Sequence, residues 1–128
     1  MSFGTAVMTV YRKYVDFQGR ARRSEYWFFQ LFYFLVSVVL FILMSLTAGT
    51  NGSSGALGTI LALVLLVFSL GTFLPALAVL IRRLHDTDRS GWWIFLGLVP
   101  LVGPIILIIW YCTKGTTGPN KYGLDPVT

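Results

Sequence analysis

The sequence predicts an all-α integral membrane protein: an amphipathic, interfacial N-terminal helix followed by three transmembrane helices. Charged residues are 12% and hydrophobic residues 55% of the 128, against roughly 25% charged in an ordinary soluble domain. The apolar residues are gathered rather than dispersed. Tyr26 to Ala48, Leu57 to Ile81 and Trp92 to Cys112 are runs of 23, 25 and 21 residues without Asp, Glu, Lys, Arg or His. Each is long enough for a hydrocarbon core of roughly 30 Å at about 1.5 Å per helical residue. All 15 charges fall outside these runs, which excludes a soluble enzyme domain, and the length allows a single membrane domain, residues 1–128.

Residues 1–25 form the basic N-terminal segment. Phe3, Val7, Val10, Tyr14 and Phe17 recur at intervals of four and three, with Thr5, Thr9, Arg12, Lys13 and Asp16 mostly between them. That is an amphipathic helix, with its apolar face toward the acyl boundary or packed on the protein's own helices. The segment lacks the charged head, short apolar centre and small-residue cleavage site of a signal peptide. The first span, 26–48, is entered through Tyr26 and Trp27, an interfacial anchor. Gly49 to Gly55 then reads as a flexible hairpin loop.

In the second span, 57–81, the small residues Thr59, Ala62, Ser69, Thr72 and Ala76 return to one helical face. Such a stripe lets helices approach closely in lipid, so it is the expected helix-packing surface. A basic loop, 82–91, precedes the third span, 92–112. Pro100, Gly103 and Pro104 interrupt that span and must at least kink it. Trp92 and Trp93 open it and Trp110 and Tyr111 close it, about 27 Å apart along a helix, as two aromatic belts would be. A kinked full span is therefore expected, the alternative being a re-entrant hairpin. In the Gly/Pro-rich tail, 113–128, Gly115 is a helix stop, and Asn120 and Tyr122 either dock the tail onto the bundle or face a partner.

Five Lys and Arg precede the first span, none lies in the loop 49–56, three lie in 82–91 and two in the tail. By the positive-inside rule the N-terminus and the second loop are cytoplasmic. A net charge of +5 flanking apolar runs points to anionic headgroups rather than nucleic acid. The single cysteine, Cys112, excludes an internal disulfide and a multi-cysteine metal site.

Two charged blocks abut the spans, Phe17 to Trp27 and Arg82 to Trp93. Glu25, Asp86 and Asp88 have Arg20, Arg22, Arg23, Arg82, Arg83 and Arg89 to pair with, which would fix one helix end against another. Exposed pairs of this kind contribute only about 0 to 1 kcal/mol each. Arg20, Arg22, Arg23, Arg82 and Arg83 beside Trp27, Trp92 and Trp93 also suit phosphate headgroups, although positive-inside anchoring explains the same residues. Asp88 or Ser90 is placed to cap a following helix.

These blocks, the Pro100 and Gly103 break and the tail from Gly115 to Pro126 resemble the domain of unknown function 805 family of small bacterial inner-membrane proteins. Leu124 stands where members commonly carry proline, a departure confined to a turn. The resemblance implies a bacterial inner-membrane location and a compact helical bundle, and it transfers no activity, cofactor or catalytic residue.

His85 beside Asp86 invites an acid/base reading, yet adjacent helical residues diverge and no nucleophile is placed beside them, so a structural pair is expected. A zinc site from His85, Asp86 and Asp88 lacks a second His or a nearby Cys. The expected function is a non-enzymatic accessory or interaction protein. It contacts anionic lipid headgroups and another integral membrane protein, or a second copy of itself, through helix faces and a basic cytoplasmic rim. The rivals are an oligomeric channel or carrier, for which ionisable groups inside the spans are missing, and a lipid-modifying enzyme using His85 and Asp86.

Overall fold

The computed structural model describes residues 2–47 and 55–126. The loop expected at 49–55 lies outside them except for Gly55, which opens a helix. Four α-helices follow in order: α1 (Phe3–Arg12), α2 (Arg23–Thr47), α3 (Gly55–Asp86) and α4 (Val102–Cys112), with a 3-10 helix, Gly91–Leu98, between α3 and α4. α2 and α3 are each long and apolar enough to cross a membrane. They run antiparallel, Phe32 and Tyr33 of α2 meeting Phe68 of α3 while Glu25 meets Arg82.

Ser2 starts α1 by accepting a hydrogen bond from the Thr5 backbone N–H at 3.2 Å, as an N-cap serine does. The apolar face of α1 turns onto the chain's own helices, the second of the two readings of its periodicity. Ala6 and Val10 are buried, the Phe3 ring meets Phe28 and Phe32, and Tyr11 meets Phe29 and Phe32. Phe17, part of the same periodicity, lies beyond the helix.

Two tyrosines tie this segment to α3. The Tyr11 hydroxyl is 2.9 Å from Thr72 Oγ1, and the Tyr14 hydroxyl donates to the Gly71 carbonyl. Pro75, inside α3, has no N–H to offer the carbonyl four residues earlier, which is that of Gly71. Tyr14 therefore supplies the bond that the proline removes.

The third apolar run is not a kinked span, and here the expectation is corrected. Gly91–Leu98 is 3-10, Leu101 has φ +68°, and α4 begins at Val102. The Trp93 and Trp110 rings, expected in opposite belts, have centroids 5.6 Å apart. The run is a helical hairpin whose ends return to one level. Pro100 sits in its turn, and Pro104 falls in the first turn of α4, where a missing N–H costs nothing. Gly103 lets the arms close: a Cβ there would lie 1.8 Å from the Leu96 carbonyl oxygen. At 11 residues, α4 is about 16 Å long, half a bilayer core.

The boundary at Ile81 also moves. α3 continues to Asp86 and buries Arg82, Arg83, Leu84, His85 and Asp86, so the expected basic loop shrinks to Thr87–Ser90. The small-residue stripe divides: Thr72 is buried, Ser69 and Ala76 are half-buried, and Thr59 and Ala62 are exposed.

The core gathers Val10, Ala21, Tyr26, Phe29, Val79, Leu84, Leu107 and Tyr111, all near the charged end. Away from it, α2 and α3 leave large apolar side chains uncovered, Phe41 at 67% and Val67 at 68% exposure. That arrangement is the reverse of a water-soluble bundle, in which such faces turn inward.

Candidate functional site: a buried charged knot

Where α3 ends, its last carbonyls have no intrahelical partner. The following turn supplies some donors, Thr87 and Arg89 N–H to Leu84 O and Asp88 N–H to His85 O, and residues distant in sequence supply others. The Thr116 N–H donates to Asp86 O at 2.7 Å and Asn120 Nδ2 to His85 O at 3.0 Å, while just ahead of these carbonyls the Ala21 N–H donates to Arg82 O at 2.9 Å. The turn and the tail after α4 thus form the cap of α3, with the segment before α2 held beside it.

The charged side chains interlock around that cap. Asp86 is the hub. Its Oδ1 accepts from Arg20 Nε at 2.9 Å and lies 2.9 Å from Arg20 Nη2, and its Oδ2 accepts from Arg83 Nη1 at 2.6 Å. Arg20 also donates to the carbonyls of Gly118, at 2.7 Å, and Thr116. Arg83 Nε donates to Tyr111 O at 3.0 Å, and its Nη2 donates to Thr113 O. Arg82 pairs with Glu25. Both arginines of α3 are fully buried, and nearly every bond they make ends on another element.

Gly115 passes directly over the hub, and a Cβ on it would lie 2.1 Å from Asp86 Oδ2. Asp125 accepts from the Gly118 N–H at 2.9 Å and steadies the same stretch of tail.

His85 stands beside this knot without joining it. Its Nδ1 is 2.9 Å from the Gly19 carbonyl; a carbonyl only accepts, so Nδ1 carries the proton. The ring stacks on Tyr122 at 4.0 Å with an interplanar angle of 1°. His85 and Asp86 therefore form no dyad, the first engaging a backbone carbonyl and the second two arginines.

These groups lie beyond Ile81, where the uncharged part of α3 ends. Burial pushes the Asp86 carboxyl above its usual range, against the pull of Arg83 and Arg20. Burial likewise lowers Arg83, opposed by Asp86. It lowers His85 too, with the Gly19 bond opposing and Lys121 adding to the shift.

Of the residues singled out from sequence, Arg20, Glu25, Arg82, Arg83, His85 and Asp86 come together, buried. Trp27 and Arg23 form an outer tier, donating to the carbonyls of Tyr111 and Cys112, each at 3.1 Å. The Arg89 guanidinium lies over the Trp110 ring at 4.2 Å. Trp92, Trp93 and Asp88 are exposed and Arg22 is half-buried; Ser90, not Asp88, caps the next helix. Sequence reasoning missed Thr113 and Thr116 and gave Tyr111 only a belt role; all three act through backbone carbonyls and so leave no side-chain signal, and Gly115 was read only as a helix stop. Among the described residues, no group of three His, Cys, Asp or Glu is placed to hold a metal ion.

Charges buried at one end of long helices that are apolar along their exposed length define a helical membrane protein. Residues 14–124 match the family described as protein of unknown function (DUF805), and the chain belongs to that family. It is 44% identical over 119 residues to inner membrane protein YhaI of Escherichia coli K12, covering 93% of this chain and 92% of that one. It is 43% identical over 119 residues to inner membrane protein YhaH of the same strain, covering 93% of each. The uncharacterized protein YiiR of that strain is 31% identical over 143 residues, covering 92% of this chain and 90% of YiiR. The likeness thus runs through the knot and the tail as well as the apolar helices. No solved structure matches.

Proposed function

We propose that the protein is a non-enzymatic accessory or interaction protein of the inner membrane. In this reading α2 and α3 cross the bilayer, and the N-terminal segment, the knot and the tail lie on the cytoplasmic side. The exposed apolar faces of α2 and α3 contact a larger membrane complex, and the basic residues outside the knot contact anionic lipid.

The observation that carries the reading is the closure of the knot. Arg20, Arg82, Arg83, Glu25 and Asp86 are buried against one another and against backbone, so this cluster holds the elements in register rather than facing a substrate. Arg20, Arg82 and Arg83 are accordingly withdrawn from the lipid-contacting rim. Arg12, Lys114 and Lys121 are exposed and take that role, each contributing on the order of 1 kcal/mol near an anionic surface.

Purification from native membranes in mild detergent, followed by mass spectrometry of what accompanies the chain, tests the reading. A stoichiometric membrane-protein partner is expected. Repeated recovery of the chain alone, or with only copies of itself, overturns the accessory role.

A further inference from the structure

A cavity of about 470 Å³ opens between α3 and the 3-10 helix, within the range of small-ligand sites. Leu77, Ile81 and His85 line it from one face of α3 at intervals of four, and Ile94 and Phe95 face them from the hairpin. Its polar side chains are His85, Ser90 and, through the indole N–H, Trp92, and no Lys, Arg, Asp or Glu lines it. The polar end lies beside the charged knot and the apolar end runs toward the uncharged part of α3. The cavity is therefore amphipathic along the direction a lipid takes at an interface.

Its hydrogen-bonding capacity is specific. The Nδ1 proton of His85 is committed to Gly19 O, which leaves Nε2 an acceptor for a neutral imidazole. Ser90 Oγ accepts from the Trp92 N–H at 3.3 Å, and its own proton remains available to donate. The wall thus offers His85 Nε2 as an acceptor and the Ser90 hydroxyl and Trp92 indole N–H as donors, with no cation in the lining itself to balance an anionic head. We propose that this cavity binds a single-chain neutral lipid with a free hydroxyl next to a carbonyl, the monoacylglycerol class. The hydroxyl donates to His85 Nε2, the carbonyl accepts from Ser90, and the chain lies along Leu77, Ile81 and Phe95.

The site goes beyond the interaction reading and does not depend on a protein partner. The test is photolabelling of the full chain in phosphatidylcholine nanodiscs with a monoacylglycerol bearing a diazirine on its chain. Labelling is expected on the peptides containing Leu77–Ile81 and Trp92–Phe95. Unlabelled monoacylglycerol should compete about tenfold or more better than the methyl ester of the same acid, which keeps chain and carbonyl but lacks the hydroxyl. Leu77→Trp, which fills the apolar end without touching the knot, should reduce labelling there by a similar factor. Equal competition by the methyl ester overturns recognition of the hydroxyl. Labelling spread evenly along the lipid-facing residues of α2 and α3 overturns the site, and this map is read on the unmodified protein whether or not the variant folds.

Discussion

Arg20 and Asp86, 66 residues apart in the chain, form a 2.9 Å ion pair with side-chain exposures of 1% and 3%. Arg83 holds the other oxygen of the same carboxylate. One carboxylate thus balances two buried guanidinium groups on two elements. Asp86→Asn keeps the volume but leaves both cations without a counter-charge. Breaking a buried pair in this way costs about 3–5 kcal/mol. Thermal unfolding in detergent should show that loss, and protease should cut the tail sooner in the variant.

The Glu25–Arg82 pair predicts a different pattern. Arg82 is fully buried, and its Nε and Nη2 have no partner among the described residues, so its charge is balanced by Glu25 alone. Glu25→Gln should cost about 3–5 kcal/mol, whereas Glu25→Leu with Arg82→Met should restore most of that loss, because apolar replacement of a whole buried pair is often neutral or better. Stability of the wild type, Glu25→Gln and the double variant decides it: equal losses in the single and double variants would show that the pair is not what the single substitution disrupts.

Gly115→Ala places a methyl group 2.1 Å from Asp86 Oδ2, and the tail must lift or the carboxylate must turn. Overpacking of this kind costs about 1–3 kcal/mol. Gly4→Ala in α1 meets nothing within 4 Å and should gain up to about 1 kcal/mol from helix propensity. Paired melting curves of the two variants, with opposite signs expected, separate a close contact from a general intolerance of glycine replacement.

His85 gives the folded state a pH dependence. Its pKa lies below the ordinary 6.5 because burial disfavours the charged ring. Below 6.5 the unfolded chain therefore binds more protons than the folded one, so stability rises with pH. The contribution is fully present above 6.5 and is lost as pH falls through the lowered folded-state value. His85→Gln keeps a polar side chain and removes the titration. The difference between wild-type and variant stability should change between pH 7 and pH 5, while groups common to both cancel. A constant difference would contradict the burial of a neutral imidazole.

How much of this was legible in the sequence depended on where the determining contact lies. The uncharged runs at 26–48 and 57–81 announce two long helices; α3 contains the second run, and α2 covers the first as far as Thr47. The two charged blocks announced a shared cluster, and Glu25 and Asp86 were expected to pair with arginines. Their burial was not legible, because it depends on backbone carbonyls of the tail that any residue type could supply. The hairpin was misread for a related reason. The spacing of Trp92 and Trp93 from Trp110 and Tyr111 fits two belts on a straight helix equally well as one belt on a folded one. The choice rests on Leu101 adopting φ +68° and on Gly103 admitting the Leu96 carbonyl.

That choice fixes a topological prediction. The tail is bound to the N-terminal side of the molecule by Arg20 to Gly118, by Arg83 to Thr113 and by the His85–Tyr122 stack. In the proposed topology, two crossing helices and a hairpin that enters and leaves by one face put both ends of the chain on one side. The five Lys and Arg ahead of α2, against none in the loop 49–56, make that side cytoplasmic in the proposed orientation. A phosphatase active only outside the cytoplasm should stay silent when fused after Thr128 and be active when inserted in the loop 49–56. A fluorescent protein that matures only in the cytoplasm should give the opposite pattern. Phosphatase activity after Thr128 would overturn this topology, which rests on the 5.6 Å contact between the Trp93 and Trp110 rings.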